Sequence, residues 1–216
     1  MKIYKNTVTE LLWQILSKLM NFNELNSFRL VGGTSLSLLL GHRKSVDIDL
    51  FTDAEYGSIN FAEIDKLFLN SFEYVDMGYA GNDSIGKSYF IGNSIEEAVK
   101  VDLFYTDNFA FPIVEIDGIR LARIEEIAAM KFEVIGNTGR KKDFWDVHEL
   151  LEHFTISEML KFYEKRYPYN YSKDELLKKL NYFDGADTDF DPICLKNKYW
   201  ELIKLDFEEI VRKDFN

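Results

Sequence analysis

Apolar residues recur at three- and four-residue steps between Val8 and Asn21, with Glu10 and Lys18 set among them. That spacing predicts an amphipathic helix. "SFRLVG" reads as a short strand, and at Gly32 and Gly33 the pattern turns into a helix from about Thr34 to Leu40. In "SVDIDLF" the alternation predicts a strand, with Val46, Ile48 and Leu50 facing one way and Asp47 and Asp49 the other. "INFAEIDKLFLNSF" has helical spacing, and "SYFIGN", "AVKVDLFYT", "IVEIDGI" and "IRLA" form a run of short strands. Beyond Ala122 the pattern is helical almost to the end, with breaks near 136–139, 167–171 and 184–192. The expected class is α+β, a mixed β-sheet flanked by helices and followed by a helical half. No linker is visible, so two units, 1–122 and 123–216, would pack tightly together.

Composition adds three constraints. A chain of 216 residues, 46% hydrophobic, can build one good core. No apolar run of about 18 residues occurs, so no membrane span is expected. The N-terminal stretch, with Lys5, Glu10 and Lys18 in it, reads as a helix rather than a signal peptide. Cys194 is the only cysteine, which rules out an intrachain disulfide and suggests a reducing, cytoplasmic setting. The net charge of −11 is uneven: residues 47–138 carry 18 acidic and 6 basic side chains, residues 139–179 carry 8 and 9. An acidic surface repels nucleic acid. A nucleic-acid partner would therefore depend on bound metal or on the C-terminal part.

Asp47 and Asp49 on one strand face have Cα atoms about 7 Å apart, from the rise of about 3.3 Å per residue. Unpaired, they repel; a divalent cation such as Mg²⁺, which takes hard oxygen ligands, removes the conflict. The plain alternative is a solvated edge strand. Three features weigh against it. Gly32 and Gly33 sit where a strand becomes a helix, a place where backbone N–H groups can approach a phosphate, and Thr34 adds a hydroxyl. Asp102 repeats the hydrophobic–Asp–hydrophobic pattern on another predicted strand, and Arg43 and Lys44 precede the first aspartate.

In the helical half, Lys131 falls on the apolar stripe of Ile124, Ile127, Ala128 and Ile135. Such a lysine either snorkels out of the core or reaches a cleft to meet a triphosphate. Asp143 and Asp146, three apart, share a face beside the stripe of Phe144, Val147, Leu151 and Phe154. Asp143 could equally serve the helix N-terminus; both aspartates fit the pattern, and Asp146, next to Val147, is favoured as the inward one. His42, His148 and His153 form no ligand set and read as ordinary residues, and Cys194 reads as buried. The aromatic cluster from Phe162 to Tyr171 reads as a helix–helix contact before a base-stacking surface.

The combination of Gly-Gly-Thr, twelve further residues, a hydrophobic-Asp-hydrophobic-Asp strand and a later strand Asp resembles the DNA polymerase β type of nucleotidyltransferase. More narrowly, Gly32, Gly33, Thr34 and Leu36, followed by Arg43 and Ser45 before the aspartates, resemble the AbiEii/AbiGii toxin family, which includes the MenT toxins. The resemblance runs from about Leu30 to Leu151. It also takes in a lysine-bearing helix followed by a Lys-Asp-x-x-Asp helix. It implies a nucleotidyltransferase-type sheet and transfer of a nucleoside monophosphate from an NTP to an acceptor hydroxyl. Gly32, Gly33 and Thr34 would hold the β- and γ-phosphates, with Arg43 and Ser45 beside them. Asp47, Asp49 and Asp102 would hold Mg²⁺ or Mn²⁺, Asp102 also serving as base. Lys131 and Arg43 would offset phosphate charge, and Asp143 or Asp146 would join the site. The implied acceptor is the tRNA 3′ end, and the implied partner an antitoxin encoded nearby. The alternatives are a protein or aminoglycoside-like acceptor, or a nucleotide-binding module without catalysis.

Overall fold

The computed structural model describes residues 2–77 and 85–214. Helix α1 (Glu10–Leu19) is opened by the Thr9 side chain, which accepts from the Leu12 N–H at 3.1 Å. Its apolar face, Leu12, Ile15, Leu16 and Leu19, is buried. After the short strand β1 (Arg29–Leu30), the chain turns at Val31 straight into α2 (Gly32–Leu40). Gly41 ends α2 in the left-handed conformation that glycine adopts without steric cost. β2 (Ile48–Thr52), α3 (Phe61–Ser71), β3 (Tyr74–Asp76), β4 (Gly86–Gly92) and β5 (Ala98–Tyr105) follow. β6 (Val114–Ile116) and β7 (Ile119–Leu121) form the last hairpin, and the rest is helical. That part runs α4 (Ile124–Thr138), α5 (Lys141–Leu150), α6 (Ile156–Arg166), α7 (Lys173–Leu180), α8 (Asp184–Asp187) and α9 (Trp200–Asp214).

Among the described residues the strands make one mixed sheet in the order β3-β4-β5-β2-β1-β7-β6. β2 and β5 are parallel and in register, Ile48 beside Val101, Asp49 beside Asp102, Leu50 beside Leu103. Because neighbours in register point to the same side, one face receives Ile48, Leu50, Val101 and Leu103, all fully buried. The opposite face receives the two aspartates. The α+β class read from the pattern is the class observed. The buried apolar side chains form one cluster from Ile3 to Val211, continuous across residue 122. α4 contributes to that continuity by packing on α2, α5, α6 and α7.

The structure departs from the sequence pattern in three places. β2 starts at Ile48, and Val46, expected on its apolar face, is 65% exposed. The segment before β2 is held elsewhere: Ser45 N–H donates to Thr7 O at 2.9 Å and Lys44 N–H to Ile193 O at 2.9 Å. α5 stops at Leu150, short of Leu151 and Phe154. Thr155 and Glu158 then form a capping box that opens α6, a start signal that outweighs the continuing apolar period. β3 lies outside the strands the pattern predicts; it is three residues long and, among the described residues, pairs with β4 alone.

Candidate active site

The β2–β5 register sets Asp49 and Asp102 side by side on the sheet face away from the core. Asp47 precedes the strand, and its backbone carbonyl accepts the Thr34 hydroxyl, which also shares a 2.8 Å bond with Ser45 Oγ. Thr34 is 1% exposed. Its hydroxyl therefore fixes the position of Asp47 and is not presented to a phosphate, contrary to the expectation from sequence.

A cleft of about 200 Å³ opens beside these groups, with Gly32, Gly33, Asp47, Asp49, Lys131 and Lys142 among its lining residues. Arg43, Ser45 and Asp143 also reach it. Asp102, Thr34 and Asp146 stand outside the lining. The glycine pair is required by close approach. Gly32 has φ +67°, and a Cβ there would lie 2.7 Å from Asp49 Oδ2. A Cβ on Gly33 would lie 2.3 Å from an Arg43 guanidinium nitrogen.

Asp49 carries the strongest electrostatic signature of the face. Burial, then the neighbouring Asp102 and Asp47, push its carboxyl up to about 6. Asp102 accepts from Ser88 Oγ at 2.7 Å and from Lys100 Nζ at 2.6 Å, both on the same sheet face. As the side chains stand, no group of three or more His, Cys, Asp or Glu among the described residues is arranged to hold a metal ion. The donor chemistry nevertheless suits a hard divalent cation. Three carboxylates lie close enough to raise the pKa of the central one, and a cation would relieve that repulsion.

Beneath the cleft lies a buried ion cluster. Asp146, 0% exposed, accepts from Arg43 Nε at 2.6 Å and Nη2 at 2.8 Å, and lies 2.7 Å from Lys131 Nζ. His42 Nε2 is 2.8 Å from the same carboxylate, so that ring nitrogen carries the proton and donates. Burial alone would raise the Asp146 pKa, but Arg43, Lys131 and the His42 bond hold it well below the usual carboxylate range. Lys131 Nζ also donates to Asp143 Oδ1 at 2.6 Å. Burial works against the Lys131 charge, and Asp146 and Asp143 more than restore it. Arg43 is treated likewise, by Asp146 first. Asp143 additionally accepts the Arg140 backbone N–H at 3.1 Å, capping α5. Both aspartates thus meet Lys131, Asp143 at the cleft lining and Asp146 beneath it. Arg43 and Lys131, expected to face phosphate, are instead engaged with carboxylates.

Two contributions were missed in the sequence. His42, read as ordinary, is buried in the cluster. The segment after α8 crosses back to hold the turn that carries it: Leu195 N–H donates to His42 O at 2.8 Å, and Cys194 bridges Arg43 in antiparallel fashion. Lys196 and Lys198 both pair with the buried Glu149 of α5, fastening this strap. No local sequence signal announces it, because its partners lie far away in the chain. In the aromatic cluster Tyr163 is buried and donates to Glu133 of α4 at 2.6 Å, Phe162 meets Phe111 and Phe154 edge-on, and Tyr169 is exposed.

A family model described as nucleotidyl transferase AbiEii toxin, type IV toxin–antitoxin system, matches residues 14–215. An uncharacterized protein of Aquifex aeolicus is 29% identical over 215 residues, covering 93% of this chain and 94% of its own. Among solved structures, a candidate nucleotidyltransferase of Helicobacter pylori aligns with TM-score 0.56 at 19% identity, over 94% of this chain and 90% of that one. MenT4, a nucleotidyltransferase toxin of Mycobacterium tuberculosis, aligns with TM-score 0.55 at 11% identity, over 87% and 76%. At these identities the structural matches speak for the fold.

Proposed function

The chain belongs to the AbiEii family of nucleotidyltransferase toxins, and on that footing we propose that it transfers a nucleoside monophosphate from an NTP to an acceptor hydroxyl with a divalent cation bound. The observation that carries this reading is Asp49 lining a glycine-walled cleft with Asp102 in register beside it. Asp47, Asp49 and Asp102 would hold Mg²⁺ or Mn²⁺, which supplies charge stabilisation at the phosphoryl oxygens. Asp102 receives the proton of the acceptor hydroxyl. The acceptor oxygen bonds to the α-phosphorus, the bond to the bridging oxygen breaks, and pyrophosphate leaves. The backbone at Gly32 and Gly33 holds the phosphates, and Thr34 and Ser45 keep Asp47 in place.

For the acceptor we propose an RNA 3′ hydroxyl, with tRNA the first to be tried. Support comes from Arg140 and Lys142 at the cleft and from Lys44 and the 98%-exposed Phe190 in an adjoining groove of about 330 Å³. Such cations beside an aromatic suit a single-stranded end. Toxin-family membership supports a neutralising antitoxin and a cytoplasmic site of action; among the described residues no helix is long and apolar enough to cross a membrane.

The test is incubation with Mg²⁺, each α-labelled NTP and a total cellular extract, with Asp49→Asn as control. Label in small RNA that disappears with the variant supports the reading. Label in protein or a small molecule moves the acceptor. NTP binding with no transfer to any fraction would favour a binding module, for which the Lys100–Asp102 pair at 2.6 Å already speaks.

A further inference from the structure

Four cationic side chains line the carboxylate cleft, Arg43, Lys131, Arg140 and Lys142, and their commitments differ. Arg43 is bidentate to Asp146, and Lys131 is held by Asp143 and Asp146 together. Turning either one toward a phosphate strips a buried carboxylate of its partner, a costly exchange. Arg140 keeps a loose 4.0 Å approach to Asp143, with its side chain 62% exposed. The Lys142 side chain makes no hydrogen bond or ion pair among the described residues.

Its position is distinctive as well. Lys142 is partly buried in the first turn of α5, on the wall shared by the carboxylate cleft and the adjoining groove. Arg43, Ser45, Asp47 and Arg140 are the other residues common to both. Burial, then Arg140 and Lys131, lower its pKa, while Asp47 raises it. The ammonium thus stands among other cations, with Asp47 near enough to act on it but no carboxylate paired to it.

We infer that Lys142 is the phosphate-binding cation of the cleft, taking the triphosphate of the incoming NTP, while Arg43 and Lys131 build the floor on which it sits. This rests on the nucleotidyltransferase reading above. An ammonium on a flexible stem reaches a phosphate oxygen as a compact charge, and here it does so without breaking any existing pair. Located on the common wall, it also places the α-phosphorus at the junction where an acceptor entering from the second groove would arrive.

The experiment is calorimetric titration of NTP, of inorganic tripolyphosphate and of the bare nucleoside, each with Mg²⁺, into the wild type, Lys142→Met and Lys142→Arg. The melting temperature of each variant is recorded alongside. The inference expects the methionine variant to melt like the wild type and to bind NTP and tripolyphosphate at least tenfold more weakly. Nucleoside binding should be unchanged, and Lys142→Arg should restore phosphate binding to within a few-fold. Unchanged tripolyphosphate affinity in Lys142→Met overturns the inference and leaves the nucleotidyltransferase reading standing. Equal weakening for nucleoside and tripolyphosphate also overturns it, as a change of cleft shape. A wild type that binds neither NTP nor tripolyphosphate defeats the nucleotide reading itself. If Lys142→Met does not fold, Lys142→Gln takes its place under the same criteria.

Discussion

Asp146→Asn removes one charge from the centre of the buried cluster and keeps its volume. Asp146 is 0% exposed and faces Arg43, Lys131 and His42 at 2.6–2.8 Å. Lys131 retains Asp143, but Arg43, 3% exposed, loses its carboxylate altogether. Leaving one buried charge unpaired costs about 3–5 kcal/mol. For a chain of this length, about 2–4 °C per kcal/mol translates that into a fall in melting temperature of roughly 10 °C. The pH dependence follows from the depressed pKa. Asp146 in the folded protein lies well below its unfolded value, so its contribution is complete above the unfolded pKa and is lost only as pH falls through the folded one. The gap between wild type and variant should therefore stay flat from pH 8 to pH 5 and close only below about pH 4, near the ordinary aspartate pKa. Urea unfolding followed by circular dichroism across that range measures it. A gap under about 1 kcal/mol, below the usual cost of breaking a buried pair, would refute the reasoning; so would one that closes between pH 7 and pH 5. Adding Lys131→Met to Asp146→Asn should cost less than the sum of the two single changes, since they share one network.

Three further outcomes are expected. Asp49→Asn should abolish label transfer yet stabilise the metal-free protein: with the folded pKa raised from 3.8 to about 6, ionised Asp49 carries a penalty at pH 7.5 that fades as pH falls from 6 toward 4. At about 1.4 kcal/mol per pKa unit, reduced for partial solvent contact, the gain is about 1–3 kcal/mol, and melts in EDTA at pH 7.5 and 4.5 that show no such difference would contradict it. Gly33→Ala should displace the Arg43 guanidinium, 2.3 Å from the new Cβ, and cost more than Gly57→Ala, where φ is +82° but nothing lies within 4 Å; paired denaturation curves decide it. Arg166→Met leaves Glu126 buried without its 2.6 Å partner between α6 and α4, and should lower stability by about 3–5 kcal/mol with NTP affinity preserved in the folded fraction.

Much of the molecule is written locally. The alternation in Val99, Val101 and Leu103 specifies a strand with one buried face, the helical spacing in α1 and α4 specifies theirs, and the glycine pair marks the strand-to-helix turn. Asp47, Asp49 and Asp102 stand out in sequence because a carboxylate among strand hydrophobes is expensive unless it has a purpose. What the sequence by itself determined, then, is most of the elements and which carboxylates stand out among strand hydrophobes, since both follow from a periodicity of two or 3.6 residues and from the cost of burying charge. The tertiary structure alone decided that β2 and β5 are neighbours in register, which sets Asp49 against Asp102. It alone brought Arg43, His42, Lys131 and Asp146 into one cluster from three distant segments and laid the strap around Cys194 across them. The physical reason is that pairing of strands some fifty residues apart, and of charges a hundred apart, depends on where the shared core places their backbones, and no local pattern carries that information.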